Sequence, residues 1–386
     1  MDQASRIRRA QTRVEDAREA VRAFHAGVVQ DDMALVVFFC ASSYDLDAIA
    51  DEMRCCFAGV QVVGCTSAGE IGPGGYLEHS LAGVSFGARD FTAASGCITG
   101  LQDFDAAAGQ ALARHLQGQL DAATGSKSAA NRFALLLIDG LSVREEAVTR
   151  AIQSALGVTP LVGGSAADGS DLGRTLVYAD GQFHNDAAVL TLVATSLPFR
   201  LFDTHHFEPT DERLVVTSAD PARRVVREIN GLPAAQEFAR ILGVPQAALT
   251  PEHFAGSPVM VIIGGASYIR SIRKANPDGS LTFFCAIENG LILRVGRSLD
   301  LHANLQGALA RVRGEIGPPQ LVLGCDCVLR RVEILQSADR DAITAALQGS
   351  NIIGFNTYGE QFRGVHLNQT LAAIAIGAAG PEVKRG

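Results

Sequence analysis

Eight polar side chains that could bind a small polar ligand lie in or just after three glycine-containing loops of this 386-residue sequence. They are Ser67, Glu70, Asp168, Tyr358, Glu360, Arg363, His366 and Asn368. An arginine can bind a carboxylate through two N–H groups, and acidic side chains accept hydrogen bonds from an ammonium group. An amino acid ligand requires both kinds of group. The alternative is structural: Glu70 and Glu360 would cap backbone amides in their own loops, and Asn368 would fix a turn.

The loops belong to a unit that occurs three times, in the order strand, helix, strand and glycine loop, followed by another strand. The strand and loop segments read VVGCTSAGE, LVGGSAADG and NIIGFNTYGE. The first and third share the pattern Gly-x-x-[Ser/Thr]-x-Gly-Glu, whereas the second keeps Gly164 and the acid Asp168. A histidine precedes the apolar strand that ends each unit, namely His79, His184 and His366. The repetition predicts a duplicated α/β fold.

The repeated unit also predicts the sheets and the place where a ligand binds. Two strands joined by a helix should be parallel with a right-handed crossover, and the strand after the loop can return antiparallel. The expected fold class is therefore α/β with mixed β-sheets. Ligands of such sheets collect beyond the carboxyl ends of the strands, where the three loops lie.

The chain is too long for a single hydrophobic core, since cores stop growing at roughly 250–300 residues, so two domains are expected. Residues 1–30 are rich in charge and are predicted to form an N-terminal helical segment. An N-terminal domain over residues 31–231 and a C-terminal domain over residues 232–386 are predicted to follow. The boundary is placed near Gly231.

Composition limits the expected classes of binding partner and the expected cellular location. The net charge is −8 and no run of basic residues occurs, which argues against nucleic acid and against an anionic membrane surface. No apolar run approaches the ~20 residues that span a bilayer, and the first residues lack the apolar core of a signal peptide. A cytoplasmic location is therefore expected, with the eight cysteines as core thiols in a reducing compartment.

Seven segments resemble the FIST family, a bacterial sensory module with paired N- and C-terminal domains. They are VVGCTSAGE, LLLIDGLSVREE, PLVGGSAADG, VVTSAD with VVREINGLPAA, LTFFCAIENGLILRVG, LVLGCDCVLRR and IIGFNTYGEQFRGVHLNQT. The resemblance implies binding of a small ligand, such as an amino acid, and regulation of a signalling enzyme. The chain is also similar to a branch of haem-binding nitric oxide sensors. Members of that branch regulate a separate histidine kinase or a cyclic-di-GMP enzyme, that is, a diguanylate cyclase or phosphodiesterase.

Similarity to the haem branch requires a histidine that can bind iron inside an apolar pocket. No C-x-x-C-H motif occurs, so covalent c-type attachment is excluded. The favoured segment is THHFEP, in which His205 and His206 would point to opposite faces of an extended chain. His206 is the preferred iron ligand, with Phe207 in the pocket lining, and His205 is the second choice. The structural alternative is that both are exposed strand-end histidines or that one is a hydrogen-bonded core residue.

A hydrolase is a further alternative, with Ser67 or Ser165 as nucleophile and His184 or His366 as base. The sequence lacks the G-x-S-x-G elbow and gives no reason to pair a particular serine with a particular histidine. It also lacks kinase, cyclase and helix-turn-helix signatures, so output through a separate protein is expected. The preferred hypothesis is a non-enzymatic haem sensor of nitric oxide, the alternative is an amino acid sensor without haem, and a homodimer is compatible with either.

Overall fold

The computed structural model describes residues 6–124, 131–169 and 172–378. Its body consists of three units with the same order of elements, and a further domain is inserted into the third unit. The first unit contains β1 (Ile7–Thr12), α1 (Ala17–Val28), β2 (Met33–Ala41), α2 (Leu46–Cys56), β3 (Val62–Ser67), β4 (Glu70–Gly72), β5 (Gly75–Leu77) and β6 (Leu81–Gly87). The second contains β7 (Phe91–Thr99), α3 (Ala106–Thr124), β8 (Arg132–Ile138), α4 (Glu145–Leu156), β9 (Leu161–Ser165), β10 (Val177–Ala179), β11 (Gln182–His184) and β12 (Ala187–Thr195).

The third unit begins with β13 (Phe199–Thr204) and is then interrupted by the inserted domain. The inserted domain contains β14 (Phe207–Asp220), β15 (Val225–Ile229), β16 (Leu232–Pro233), α5 (Ala234–Leu242), α6 (Pro251–Gly256), β17 (Val259–Ile263), β18 (Ala266–Arg270), β19 (Ile272–Ala275), β20 (Leu281–Phe283) and β21 (Ile292–Ser298). The third unit resumes with α7 (Leu301–Ile316), β22 (Leu321–Cys327), α8 (Val328–Gln336), α9 (Arg340–Gly349), β23 (Ile352–Thr357), β24 (Glu360–Phe362), β25 (Val365–Leu367) and β26 (Leu371–Ile376).

Each unit builds one six-stranded sheet from four of its own strands and a hairpin that another unit supplies. The strand orders are β1-β6-β2-β3-β10-β11, β7-β12-β8-β9-β24-β25 and β13-β26-β22-β23-β4-β5. In each sheet the two strands joined by helices are parallel, and the returning strand is antiparallel to its neighbours. The predicted α/β class with mixed sheets is confirmed. The hairpins are exchanged in a cycle, so the same arrangement occurs three times.

The three sheets share one apolar core because alternate residues of each central strand point toward it. The contributions are Val37 and Phe39 from β2, Leu135 and Leu137 from β8, and Leu323 and Cys325 from β22. The Phe39 and Phe355 rings stack at its centre with centroids 4.3 Å apart. Helices cover the other face of each sheet, and strands buried on both faces have the nearly continuous apolar sequences seen here.

Short local signals position the helices and strands that carry the glycine loops. Asp45 caps α2 by accepting the Ala48 N–H at 3.0 Å, and Asp300 caps α7 in the same way. Gly163 and Gly354 allow close strand packing, since an added Cβ would lie 2.0 Å and 2.2 Å from a carbonyl oxygen of the neighbouring strand. Gly163 and Gly354 lie within β9 and β23, so they are part of the sheet as well as of the glycine-loop segments.

The structure differs from the prediction at the N-terminus and after β22. The segment predicted as helical contains a strand, β1, which pairs with β6 before α1 begins. The sequence IRRAQT does not indicate a strand, because only Ile7 is buried. The helix α8 was not predicted and follows β22 directly. None of the helices in the described part of the chain is long and apolar enough to cross a membrane.

The inserted domain has a sheet and a core of its own. Its strands run in the order β18-β17-β21-β14-β15-β20-β19, with β16 paired to β15, and α5 packs on them. The domain enters and leaves through neighbouring strands, because Phe207 of β14 lies opposite Ser298 of β21. The domain boundary placed near Gly231 stays a prediction. In the structure Gly231 occupies the turn between β15 and β16, with φ of 75°.

Candidate functional site

The three glycine loops meet and are joined by backbone hydrogen bonds. Each loop donates one N–H to a carbonyl oxygen of another loop, so the three bonds form a closed ring. They are Ala167 N to Thr66 O at 3.0 Å, Ala68 N to Asn356 O at 3.0 Å and Tyr358 N to Ser165 O at 3.4 Å. The hairpin exchange thus brings together segments that are far apart in sequence.

The strand register corrects the alignment of the second loop by one residue. The exchanged strands place Tyr178 opposite Gly64, Gln361 opposite Gly163 and Ile71 opposite Gly354. The counterpart of the other two glycines is therefore Gly163 rather than Gly164. By the same register Val177 takes the position that Glu70 and Glu360 hold in the other hairpins. Asp168 is not their counterpart, and it has a different environment.

A cleft of about 480 Å³ opens beside the joined loops, between the body and the inserted domain. The three loops, α8 and the inserted domain all contribute side chains to it. Among the polar and aromatic ones are Ser67, Asp168, Tyr358, Arg331, Arg273 and Phe284. The structure therefore brings three of the predicted site residues, Ser67, Asp168 and Tyr358, to one cavity.

Tyr358 and Asp168 form a hydrogen-bonded pair on the cleft wall. The Tyr358 hydroxyl donates to Asp168 Oδ1, while Asp168 Oδ2 accepts the N–H groups of Gly173 and Arg174 at 2.7 Å and 2.6 Å. Burial raises the pKa of Tyr358, and the hydrogen bond to Asp168 raises it further, so the phenol keeps its proton. Its ring packs against Phe284 of the inserted domain, with centroids 5.7 Å apart.

Two guanidinium groups lie on the same cleft. Arg331 donates to Ala68 O through Nη1 and to Glu78 Oε1 through Nη2, the latter at 2.7 Å. The Nε atoms of Arg331 and Arg273 are buried and have no hydrogen-bond partner among the described residues. Burial lowers the pKa of Arg273, but an arginine stays charged near neutral pH. The cleft is therefore lined by two positive groups, each of which carries a buried Nε–H that no described residue accepts.

Glu70 and Glu360 are fully buried in the body and do not line this cleft. The Glu70 carboxyl accepts the hydroxyls of Ser67 and Ser80, the latter at 2.5 Å. Glu360 Oε2 accepts the N–H and the hydroxyl of Thr370 at 3.1 Å and 2.7 Å. Burial raises the pKa of Glu70 to about 7 and raises that of Glu360 well above its usual value. Both side chains thus connect segments of the body to each other.

The other three predicted residues also lie away from the cleft. His366 is buried with Nε2 3.3 Å from Phe284 O, and burial lowers its pKa to about 4, so the ring is neutral near pH 7. Asn368 is buried and accepts the Ser271 N–H at 3.4 Å. Arg363 is exposed and its guanidinium lies 5.6 Å from the centroid of a neighbouring phenylalanine ring. The predicted set of eight is therefore divided between a cleft, the core and the surface.

The sequence matches two family models, FIST N domain over residues 34–232 and FIST C domain over residues 234–363. The chain belongs to the FIST family. FIST domains are signal-transduction sensor domains. The chain is also similar to the uncharacterized protein MJ1623 of Methanocaldococcus jannaschii, with 35% identity over 83 residues. That stretch spans 22% of this chain and 16% of the relative, so the similarity is limited to one segment.

His206 of this FIST protein, the predicted haem ligand, lies between charged side chains. The ring is fully buried, and Nε2 lies 2.8 Å from both carboxylate oxygens of Glu333. Nδ1 lies 3.5 Å from an Arg330 nitrogen, so both ring nitrogens face charged side chains. Phe207 is buried in a small apolar cluster of the inserted domain. His206 thus faces charged partners and Phe207 an apolar cluster, and the role of both in binding haem stays a prediction.

His205, the second choice, lies on a separate groove of about 480 Å³. The groove combines aromatic and aliphatic side chains with a few polar groups. Among its lining residues are Asp203, Tyr268, Ile269, Phe362, Arg363 and Asn368. His205 Nδ1 is buried and has no partner among the described residues. No group of three or more histidine, cysteine and acidic side chains in the described part of the chain is arranged to hold a metal ion.

The serine and histidine pairs considered for a hydrolase are not assembled. Ser67 Oγ donates to Glu70, and Ser165 Oγ accepts from Gln361 Nε2 at 2.9 Å. His184 Nε2 lies 3.3 Å from a backbone carbonyl, and neither it nor His366 contacts these hydroxyls. The hydroxyls of Ser67 and Ser165 therefore lack the histidine base that the hydrolase alternative assigned to them.

Sequence reasoning missed Arg331, Arg273 and Phe284 as cleft residues. Arg331 and Phe284 lie within the family segments LVLGCDCVLRR and LTFFCAIENGLILRVG, but neither segment indicated which side chain would face a cavity. Arg273 lies in the short strand β19, outside every motif. Only the packing of the inserted domain against the body places it beside the loops.

Proposed function

We propose that this FIST protein is a sensor that binds a small carboxylate-containing ligand, an amino acid, in the cleft between the body and the inserted domain. The observation that supports this is the pair of buried, unpartnered Nε atoms of Arg273 and Arg331. A buried donor without a partner destabilises a protein by about 1–3 kcal/mol. A ligand carboxylate would satisfy both donors and match their charge.

The same cleft holds groups that suit the ammonium end of an amino acid. Asp168 accepts the Tyr358 hydroxyl and two backbone N–H groups, and its carboxyl oxygens have room for a further donor. Ser67 lies on the same wall. An amino acid zwitterion requires cationic and acidic groups in one cavity, and this cleft of about 480 Å³ has both.

The proposed output is regulation of a separate signalling enzyme, a histidine kinase or a diguanylate cyclase or phosphodiesterase. Two facts support it: FIST domains are sensor domains, and the sequence contains no kinase, cyclase or DNA-binding signature of its own. Ligand occupancy would then have to alter a surface that the partner recognises. In this proposal the protein acts as a binding module and carries out no chemistry.

Titration calorimetry with each of the twenty amino acids tests the ligand. We expect saturable heat for at least one, and a loss of roughly 1.5–3 kcal/mol of binding free energy in Arg273→Met, the range for a hydrogen bond to a charged group. Arg89→Met is the matched control, since it removes an exposed guanidinium that lines neither the cleft nor the groove beside His205, and it should bind as the wild type does. Absence of saturable heat for all twenty, or equal loss in both variants, would contradict the proposal.

A haem-dependent nitric oxide sensor is the second candidate, with His205 rather than His206 as the iron ligand. The observation that favours it is the unpartnered His205 Nδ1 on a groove with Tyr268, Ile269 and Phe362 in its lining. When bound, haem would supply an iron centre that takes nitric oxide as a ligand. His205 would hold the group, and the aromatic and aliphatic side chains would exclude water around it.

Absorption spectroscopy of protein supplied with haem tests this second candidate. A Soret band that shifts with nitric oxide is expected, and His205→Ala should weaken haem retention whereas His206→Gln should not. A protein that retains no haem, or a His205→Ala variant with an unchanged spectrum and affinity, would exclude it. The two candidates occupy different cavities, so the outcomes of the two experiments are independent.

A further inference from the structure

The inserted domain has its own core and is connected to the body by a two-stranded stalk. Residues 207–298 form their own core, which shares no residue with the cores of the three units. The stalk consists of the first residues of β14 and the last of β21, where Phe207 lies opposite Ser298 and the Leu299 N–H bonds His206 O at 2.7 Å. Away from the stalk, only non-covalent contacts hold the inserted domain to the body.

The most strongly charged of those contacts is a buried ion cluster between Arg224 and the start of α4. Arg224, 5% exposed, donates through Nη2 to Glu145 at 2.6 Å and to Glu146 at 2.5 Å. Its Nη1 donates to Phe284 O at 2.7 Å, and the Ala286 N–H donates to Glu146 at 2.9 Å. We call this cluster, Arg224 with Glu145 and Glu146, the latch.

Two smaller sets of contacts complete the boundary. Ser271 Oγ donates to Gln369 Oε1 at 2.9 Å, and Gln369 Nε2 donates to Ala255 O at 2.8 Å. Phe284 packs on Tyr358 within a small apolar cluster that includes residues from both sides. The boundary thus combines buried polar contacts with one apolar cluster, and its polar groups can be rehydrated when it opens.

The ligand cleft lies across this boundary. Arg273 and Phe284 belong to the inserted domain, whereas Asp168, Tyr358 and Arg331 belong to the body. A carboxylate held by both arginines would therefore connect the two parts. Such a ligand interacts more strongly with the closed position than with an open one, which is the condition for it to shift the equilibrium between them.

We propose that the inserted domain is a lid that closes on the cleft about the β14 and β21 stalk, with the latch as the contact that holds it closed. This deepens the sensor proposal above, since the lid position is what changes when ligand binds. Breaking a buried ion pair by removing one partner is strongly destabilising, by about 3–5 kcal/mol. Removal of the Arg224 charge should open the boundary rather than unfold the inserted domain, because opening lets water reach Glu145 and Glu146.

Hydrogen exchange of the full-length protein without ligand tests the latch. In Arg224→Met we expect the boundary amides of Ala286, which donates to Glu146, and of Ser271, which donates to Asn368, to exchange at least roughly a hundredfold faster, the factor that corresponds to about 3 kcal/mol. Amides in the domain's own core, in β14 and β21 near Leu214 and Leu293, should be unchanged. Arg223→Met is the matched control, because Arg223 is exposed in the same turn and makes no contact with α4.

Glu146→Gln serves as a second variant if Arg224→Met does not fold, because it weakens the latch without leaving two unpaired acids. Faster exchange confined to the boundary in either variant supports the lid. Exchange at Ser271 and Ala286 equal to that of the wild type, or accelerated equally in the core of the inserted domain, overturns it.

The same measurement separates the lid from the ligand proposal. An equimolar mixture of the twenty L-amino acids should slow exchange at the boundary of the wild type and restore part of the protection in Glu146→Gln. If the variants loosen the boundary but the mixture changes nothing, the lid is retained and the amino acid ligand is rejected. If the mixture protects the loops of the body but leaves Ser271 and Ala286 unaffected, the ligand is retained and the lid is rejected.

Discussion

Glu70 and Glu360 are structural counterparts in the first and third units. Each is the first residue of an exchanged hairpin, with Glu70 opposite Phe355 and Glu360 opposite Gly164. Each is fully buried and accepts a hydroxyl hydrogen bond, from Ser80 in one case and Thr370 in the other. The second unit has Val177 at this position, so two of the three hairpins are held in place by a buried carboxyl group.

Substitution of Glu360 tests this role. Burial raises the pKa of Glu360 well above its usual value and so favours the neutral carboxyl, which Glu360→Gln replaces with a neutral group of the same shape. We expect a loss of unfolding free energy of roughly 1 kcal/mol or less. Glu360→Ala leaves a cavity and the unpaired Thr370 donors, and should destabilise by about 2–4 kcal/mol.

Urea unfolding at pH 7 measures both changes. Glu288→Gln is the control for the loss of an acid, because Glu288 is exposed and should change stability by less than about 0.5 kcal/mol. Equal destabilisation by Glu360→Gln and Glu360→Ala would mean that the carboxyl is ionised in the folded protein.

A second prediction concerns the tight strand contact at Gly354. A Cβ at this position would lie 2.2 Å from Gly324 O on the neighbouring parallel strand. Gly354→Ala should therefore destabilise by about 1–3 kcal/mol through forced separation of β22 and β23. Gly118→Ala is the opposite control: it lies inside α3 with no atom near the added methyl, and should stabilise by about 0.5–1 kcal/mol. Thermal unfolding of both variants decides the matter, and a neutral Gly354→Ala would refute the close-contact explanation.

The repeated unit and the mixed sheets were predictable because each unit carries its own periodic pattern and glycine loop. The exchange of hairpins was not, because β4 and β24 are only three residues long. Their side-chain pattern is as compatible with pairing to the sheet of their own unit as with pairing to the sheet of another unit. The one-residue error at Gly164 has the same origin, since two consecutive glycines allow two alignments and only the pairing with β24 selects one.

The candidate site was predictable only in part, because residue type does not determine which side chains share a cavity. Ser67, Asp168 and Tyr358 meet in the cleft since they follow equivalent strands. Glu360 and His366, chosen for the same reason, point into the core instead. Arg273 reaches the cleft from an insertion whose packing on the body has no counterpart in the repeated pattern.

The third prediction concerns Glu70 and the pH dependence of stability. Its pKa is about 7 in the folded protein because of burial, against 4.5 for an unperturbed glutamate. Between these values the folded protein retains a proton that the unfolded chain has lost, so stability falls as the pH rises from 4.5 to 7. The contribution to the free energy of unfolding is about 3 kcal/mol. Glu70→Gln should remove it, as measured by urea unfolding at several pH values, and a variant with the wild-type pH dependence would disprove the assignment.

The fourth prediction is that His366 contributes the opposite slope over a similar range. Burial lowers its pKa from 6.5 to about 4, so below pH 6.5 the unfolded chain binds a proton that the folded protein does not. Stability is therefore lost as the pH falls from 6.5 toward 4, by up to about 3 kcal/mol. The Glu70 and His366 contributions nearly cancel in the wild type. Relative to the wild-type profile, His366→Gln should add a fall in stability with rising pH, Glu70→Gln should add a rise, and the double variant should return to the wild-type profile. Changes of the same sign in the two single variants would show that one of the two groups titrates in the folded protein near its ordinary pKa.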